Sequence, residues 1–237
     1  MWINRILLVI LIIVILILAG VIYHQLDAVK KKQDFNSIEN VRTNHLLLST
    51  IDWSTQRQKT ILYMRDVIIC EWGVLGKKPD YDKAYLKSEA IMRECERYPK
   101  VDPLAMLAVQ RVESRFQDSL VSPMNARGCW QFITSTAHLL CQALGITYSE
   151  RIYTDPILGT RLAGKYFDVL YASYPDSQEL ARYADYNGGP QQASFFLFNK
   201  SRLSEETKNF VRNVQKYKLE YHKGFTDYEP IRKDGKK

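Results

Sequence analysis

Apolar positions recur every three to four residues over most of the chain, and that spacing predicts a protein built mainly of α-helices. Within 53–72, Ile61, Leu62, Met64, Val67 and Ile68 fall at helical intervals before Gly73, Gly76 and Pro79 break the pattern. Residues 81–98 read as the next helix. Asp102 followed by Pro103 marks a helix start, because the carboxylate accepts orphan amide hydrogens and proline gives up nothing at the first turn. Leu104, Leu107, Ala108 and Val112 then line one face, with Glu113 near the end. Ser122 and Pro123 interrupt the chain, and 134–144 resumes it as a helix stopped by Gly145. Asp155 and Pro156 open another that runs to about residue 174, and 179–186 and 205–221 complete the set. Strand-like alternation is scarce, and no internal repeat is visible.

The amino-terminal end follows a different rule. Residues 6–23 carry no charge and are almost all Ile, Leu and Val, roughly 27 Å of helix at about 1.5 Å per residue. A cleaved signal would end in a small-x-small site, whereas Ala19 and Gly20 lead into Val21, Ile22 and Tyr23. The expected organisation is therefore an uncleaved transmembrane anchor over 1–25, a stalk or helical linker over 26–83, one catalytic unit over 84–222, and a basic tail over 223–237. The charge rule does not orient the anchor, since Arg5 stands on one side and Lys30, Lys31 and Lys32 on the other.

Net charge changes the picture modestly. A balance of +7 and a pI near 9.1 suit an anionic polymer or lipid surface. Basic residues are scattered rather than striped with aromatics, so nucleic acid is not an expected partner. Cys70, Cys95, Cys129 and Cys141 show no CxxC spacing, which argues against a metal site. Reduced thiols and bridges are both compatible with their positions.

The chemistry-bearing residues stand in a fixed order: Glu113 and Ser114, then Ser122 and Pro123, then Gly128 to Gln131, then Asp155 and Pro156, and finally Asp185 to Gly189. In this order the segment from 84 to about 222 resembles the lytic transglycosylases with a soluble-type, goose-lysozyme-like helical domain. Glu206, Thr207 and Val211 fall where that family has E-T-x-x-Y-V, and the variant with Trp130, Gln131 and Phe132 resembles the membrane-associated type D subgroup. Phe210 stands where the family usually has Tyr, Thr134 replaces a frequent Pro and Asp185 a frequent Ala. The first of these departures puts in doubt any hydrogen bond made by the family's tyrosine.

Breaking a glycosidic bond requires a proton on the departing oxygen, and a carboxylic acid must supply it. Glu113 is the candidate, provided that a lining such as Val112, Trp130 or Phe132 desolvates it and lifts its pKa above the free value of about 4.3. The resemblance implies that this one carboxyl acts first as acid and then as base toward the substrate's own C6 hydroxyl. It closes a 1,6-anhydro ring on the muramic residue without a metal or organic cofactor. Tyr186 is expected to hold the Glu113 carboxyl, Asn187 and Gln131 to address hydroxyls or acetamido groups, Ser122 to donate to sugar or intermediate, and Glu206 to brace the site. Trp130 reads either as a flat platform for a sugar ring or as core. Asn-Gly-Gly at 187–189 is also plain turn chemistry.

The expected substrate is the glycan of peptidoglycan, cleaved between N-acetylmuramic acid and N-acetylglucosamine by a single-pass protein of the bacterial cytoplasmic membrane with its body facing the wall. A wall-opening role in an envelope or secretion machine is compatible with this. Two alternatives stay open: a lysozyme-like hydrolase using Asp118, Asp155 or Asp185 to activate water, and a wall-binding scaffold without activity.

Overall fold

A computed structural model describes residues 56–228. The apolar run at 6–23, the polar stretch before residue 56 and the basic residues after 228 lie outside the described residues. Among the described residues no helix is long and apolar enough to cross a membrane.

The described chain is α throughout. Its helices are α1 (Gln56–Val74), α2 (Tyr81–Arg97), α3 (Pro103–Ser114), α4 (Thr134–Leu144), α5 (Pro156–Ser173), α6 (Glu179–Phe198) and α7 (Glu205–Thr226), with short 3-10 turns at Glu150–Tyr153, Asp176–Gln178 and Lys200–Arg202. Strand pairing is confined to isolated bridges that link Val121 to Arg127 and Arg127 to Phe132. Side-chain caps set most starts. Asp80 accepts from the Lys83 amide, Asp102 from Leu104, Asp155 from Ile157 and Leu158, and Ser204 from Thr207. Pro103 and Pro156 occupy the first turn, where no amide hydrogen is missed. Gly145 ends α4 in the left-handed conformation at φ 62°.

The core is organised around α3, in which every residue from Leu104 to Gln110 is buried. α7 packs along one side of α3, while α2 packs between α1 and α5. At the crossing of α2 and α5 the backbones come so close that a Cβ on Gly164 would stand 2.6 Å from the Glu94 Cβ. Helix α1 belongs to this body, although it falls in the stretch that the sequence suggests as stalk: Ile61, Met64 and Ile68 are fully buried. Cys95, Cys129 and Cys141 are buried free thiols, and Cys70 is an exposed one.

Candidate active site

Glu113 occupies the last turn of α3, at the end of a helix whose residues from Leu104 to Gln110 are buried in the core. The next residue locks the helix end: the Ser114 hydroxyl donates to the Cys129 carbonyl at 2.8 Å. The chain then leaves through two consecutive left-handed residues, Arg115 (φ 51°) and Phe116 (φ 65°). Such conformations cost non-glycine residues on the order of 1 kcal/mol or more each. They persist because Phe116 is fully buried and Arg115 pairs with Glu71.

The Glu113 side chain is surrounded by protein yet still half-buried rather than sealed. Burial, with a smaller contribution from the like charge of Glu206, pushes its pKa up to about 8. A carboxyl in that state is protonated at neutral pH and reachable from outside, the condition for a general acid. Its neighbour across the structure is Glu206, exposed in the first turn of α7, which acts on Glu113 through charge.

The segment between α3 and α4 is a loop braced from within. Gly128 (φ 76°) lies against the Tyr153 backbone, where an added Cβ would stand 2.3 Å from the carbonyl oxygen. Gln131, itself left-handed at φ 49°, donates its side-chain amide to the Gly128 carbonyl at 2.7 Å and the Leu120 carbonyl at 3.1 Å. Its two hydrogens are thus committed to the loop, and its carbonyl oxygen is the group left to meet a ligand. The Ser122 oxygen accepts from the Ala126 amide at 3.0 Å, which leaves its hydroxyl hydrogen to donate. Trp130 is core and not a sugar platform: only 1% of it is exposed, and its indole donates to Thr160 at 3.1 Å. A ring so enclosed cannot touch a glycan, and its contribution is support through its carbonyl.

That carbonyl accepts the Tyr186 hydroxyl at 2.9 Å. The phenol hydrogen is therefore aimed at backbone and not at the Glu113 carboxyl. Burial first, then the Glu113 charge, raises the Tyr186 pKa well above 10, which keeps the hydroxyl intact. The ring lies parallel to Phe210 at 6.2 Å between centroids and beside Tyr166 at 5.2 Å. Phe210 thus keeps an aromatic wall where the hydroxyl is lost. Asn187 accepts from the Thr207 hydroxyl at 2.8 Å, so its amide hydrogens remain to donate. Gly188 comes close to Thr207, and Gly189, at φ 76° and ψ −179°, bends α6 just ahead of Pro190.

The carboxylates weighed as water activators are all engaged elsewhere. Asp118 pairs with Lys83 at 2.8 Å and with Lys87. Asp155 caps α5. Asp185 accepts from the Tyr174 hydroxyl at 2.6 Å. Lys87 had no signal in the sequence, where it reads as a surface lysine on an amphipathic helix, yet it is wholly buried and ties the start of the loop to α2. The anchoring role of Ser114 was equally silent, because it depends on a residue 15 positions away.

Comparison with known proteins agrees with this geometry. Residues 90–209, just over half of the chain, match the model of the Transglycosylase SLT domain family. An X-ray structure of an inactive mutant of the lytic transglycosylase Slt from Pseudomonas aeruginosa superposes with a TM-score of 0.53 at 22% identity, a likeness of fold. The superposition covers 60% of this chain and only 25% of that one. No curated protein sequence matches. The chain belongs to the transglycosylase SLT domain family.

Proposed function

We propose that this protein is a lytic transglycosylase that cleaves peptidoglycan between N-acetylmuramic acid and N-acetylglucosamine and leaves 1,6-anhydromuramic ends. The observation that carries this is Glu113 itself, a carboxyl pushed up to about 8 in a half-buried position, while Asp118, Asp155 and Asp185 are each bound to other partners. Glu113 gives its proton to the glycosidic oxygen as the bond to the anomeric carbon breaks. Left as a carboxylate, it takes the proton of the C6 hydroxyl as that oxygen attacks the anomeric carbon. The acid is thereby regenerated and no water is consumed. The Asn187 amide, the Gln131 carbonyl and the Ser122 hydroxyl are the free polar groups that orient the sugar. The apolar run at 6–23 anchors the protein in the cytoplasmic membrane, with the body facing the wall. A role beside an envelope or secretion machine fits that placement.

Mass spectrometry of products released from purified peptidoglycan tests this directly. Anhydro products, one water lighter than reducing-end muropeptides, are expected, and Glu113→Gln should release none. Full-mass products would move the assignment to a hydrolase, in which Glu206, the carboxylate coupled to Glu113, would be the first residue to examine as water activator.

A further inference from the structure

Beside the Glu113 turn, a cavity of about 320 Å³ opens between α1, α3 and α7, lined by Glu71, Arg111, Val112, Arg115, Asn213 and Tyr217. Two guanidinium groups share one buried carboxylate there. Arg111 donates to Glu71 at 2.8 Å and to the Tyr221 hydroxyl at 3.2 Å, and its face lies 3.9 Å from the centre of the Tyr217 ring. Arg111 is therefore spent on structure. Arg115 is different. It donates only its Nε hydrogen, to the other oxygen of Glu71, and its side chain is 43% exposed. Among the described residues its terminal nitrogens have no partner, nor do the Asn213 amide or the Tyr217 hydroxyl. One carboxylate against two guanidinium groups leaves the cavity with a charge of +1. The exposed Arg212, next to Asn213 on α7, adds to the positive field, whereas Lys216 is offset by Glu220 at 3.9 Å.

We infer that this cavity is a carboxylate-binding subsite for the peptide portion of the substrate, with the free fork of Arg115 as its centre and Asn213 and Tyr217 as flanking donors. The planar terminal nitrogens of arginine match the two oxygens of a carboxylate, and a site with a spare positive charge favours an anion. The assignment rests on the peptidoglycan proposal. In that polymer the N-acetylated glycan is neutral, and the carboxylates are carried by the stem peptides. Reach is consistent with this. A residue of extended peptide spans about 3.3–3.6 Å, so a stem of four residues covers roughly 14 Å. Asn213 follows Glu206, the charge neighbour of Glu113, by seven residues on α7, roughly 10 Å at about 1.5 Å per residue.

The test uses the full chain and two substrates, glycan strands with intact stems and strands stripped of peptide by an amidase, whose remaining carboxylate is the lactyl group held directly on the muramic ring and not one carried at the reach of a stem. Arg115→Lys keeps a charge for Glu71 but removes the fork, and Asn213→Leu removes a flanking donor without touching the ion pair. Each should lower kcat/KM on stem-bearing strands, by about tenfold for Arg115→Lys, and leave cleavage of stripped strands unchanged. Equal losses on both substrates, or no loss on either, would overturn the subsite. If the wild-type protein cleaves neither substrate, the functional proposal fails, and titration with a free acidic stem tetrapeptide followed by NMR decides the subsite separately. Binding that Arg115→Lys weakens supports it, and absence of binding by the wild type overturns it.

Discussion

A carboxyl with its pKa pushed up to about 8 affects both rate and stability, and the two can be measured apart. As the acid, Glu113 must carry its proton, so cleavage should hold through neutral pH and fall as pH rises through about 8. Glu113→Gln should cost at least ~10²-fold at any pH, the usual scale of general acid catalysis. The linkage has a definite sign. Because the folded state holds this proton more tightly than the unfolded chain, the stabilisation is fully present below about pH 4.5 and is lost as pH rises through about 8. Glu113→Gln should therefore match the wild-type melting temperature near pH 4.5 and exceed it at pH 9, at about 3 °C per kcal/mol for a body of this size. A variant that melts lower than wild type at pH 9 would mean that the carboxylate is stabilised rather than desolvated. The sequence made Glu113 the acid candidate and desolvation its requirement. It did not show the Glu206 charge as a second cause, because those residues are 93 positions apart and meet only when α7 lies along α3. The Tyr186 hydroxyl was unreadable for the same reason, since its acceptor is a backbone oxygen that no side-chain pattern reveals.

Helix boundaries carrying their own chemistry were legible. Asp102 with Pro103, Asp155 with Pro156 and Gly145 mark the ends of α3, α5 and α4 where the sequence places them. The end of α6 was not. Asn187, Gly188, Gly189 and Pro190 read as a stop after 186, yet the helix bends at Gly189 and continues to Phe198, because Pro190 can open a new helical turn after a glycine at positive φ. Gly189→Ala has open space for its methyl, so its cost is the backbone alone, about 1–3 kcal/mol for a conformation essentially reserved for glycine. Gly128→Ala adds a collision at 2.3 Å with the Tyr153 carbonyl to the penalty of a positive φ, and should lose about 3 kcal/mol or more. Chemical denaturation of the two variants should rank them in that order. Cleavage rates should also suffer in Gly128→Ala, since its loop carries Gln131 and Ser122.

At the scale of the molecule, the body that carries the site is larger than the segment that matches the family. The match begins at residue 90, but the compact unit includes α1 from Gln56, which supplies part of its core. Ile61, Met64 and Ile68 are fully buried and Trp72 nearly so, and burying one such side chain is worth about 1.5–3 kcal/mol. Four of them together rival the roughly 5–15 kcal/mol by which a whole domain is stable. α1 also supplies Glu71, the carboxylate that holds Arg111 and Arg115. The opposite end closes on the same helix, since the Tyr228 hydroxyl donates to Asp66 and its ring packs on Tyr63 at 5.1 Å. A fragment beginning at residue 84 should then be insoluble or lack a cooperative melt, whereas 52–237 should melt in one transition and cleave glycan. Differential scanning calorimetry of both fragments checks this. A well-folded, active 84–237 fragment would show that α1 is an accessory to the catalytic unit, and that two guanidinium groups beside Glu113 can do without the carboxylate that now pairs them.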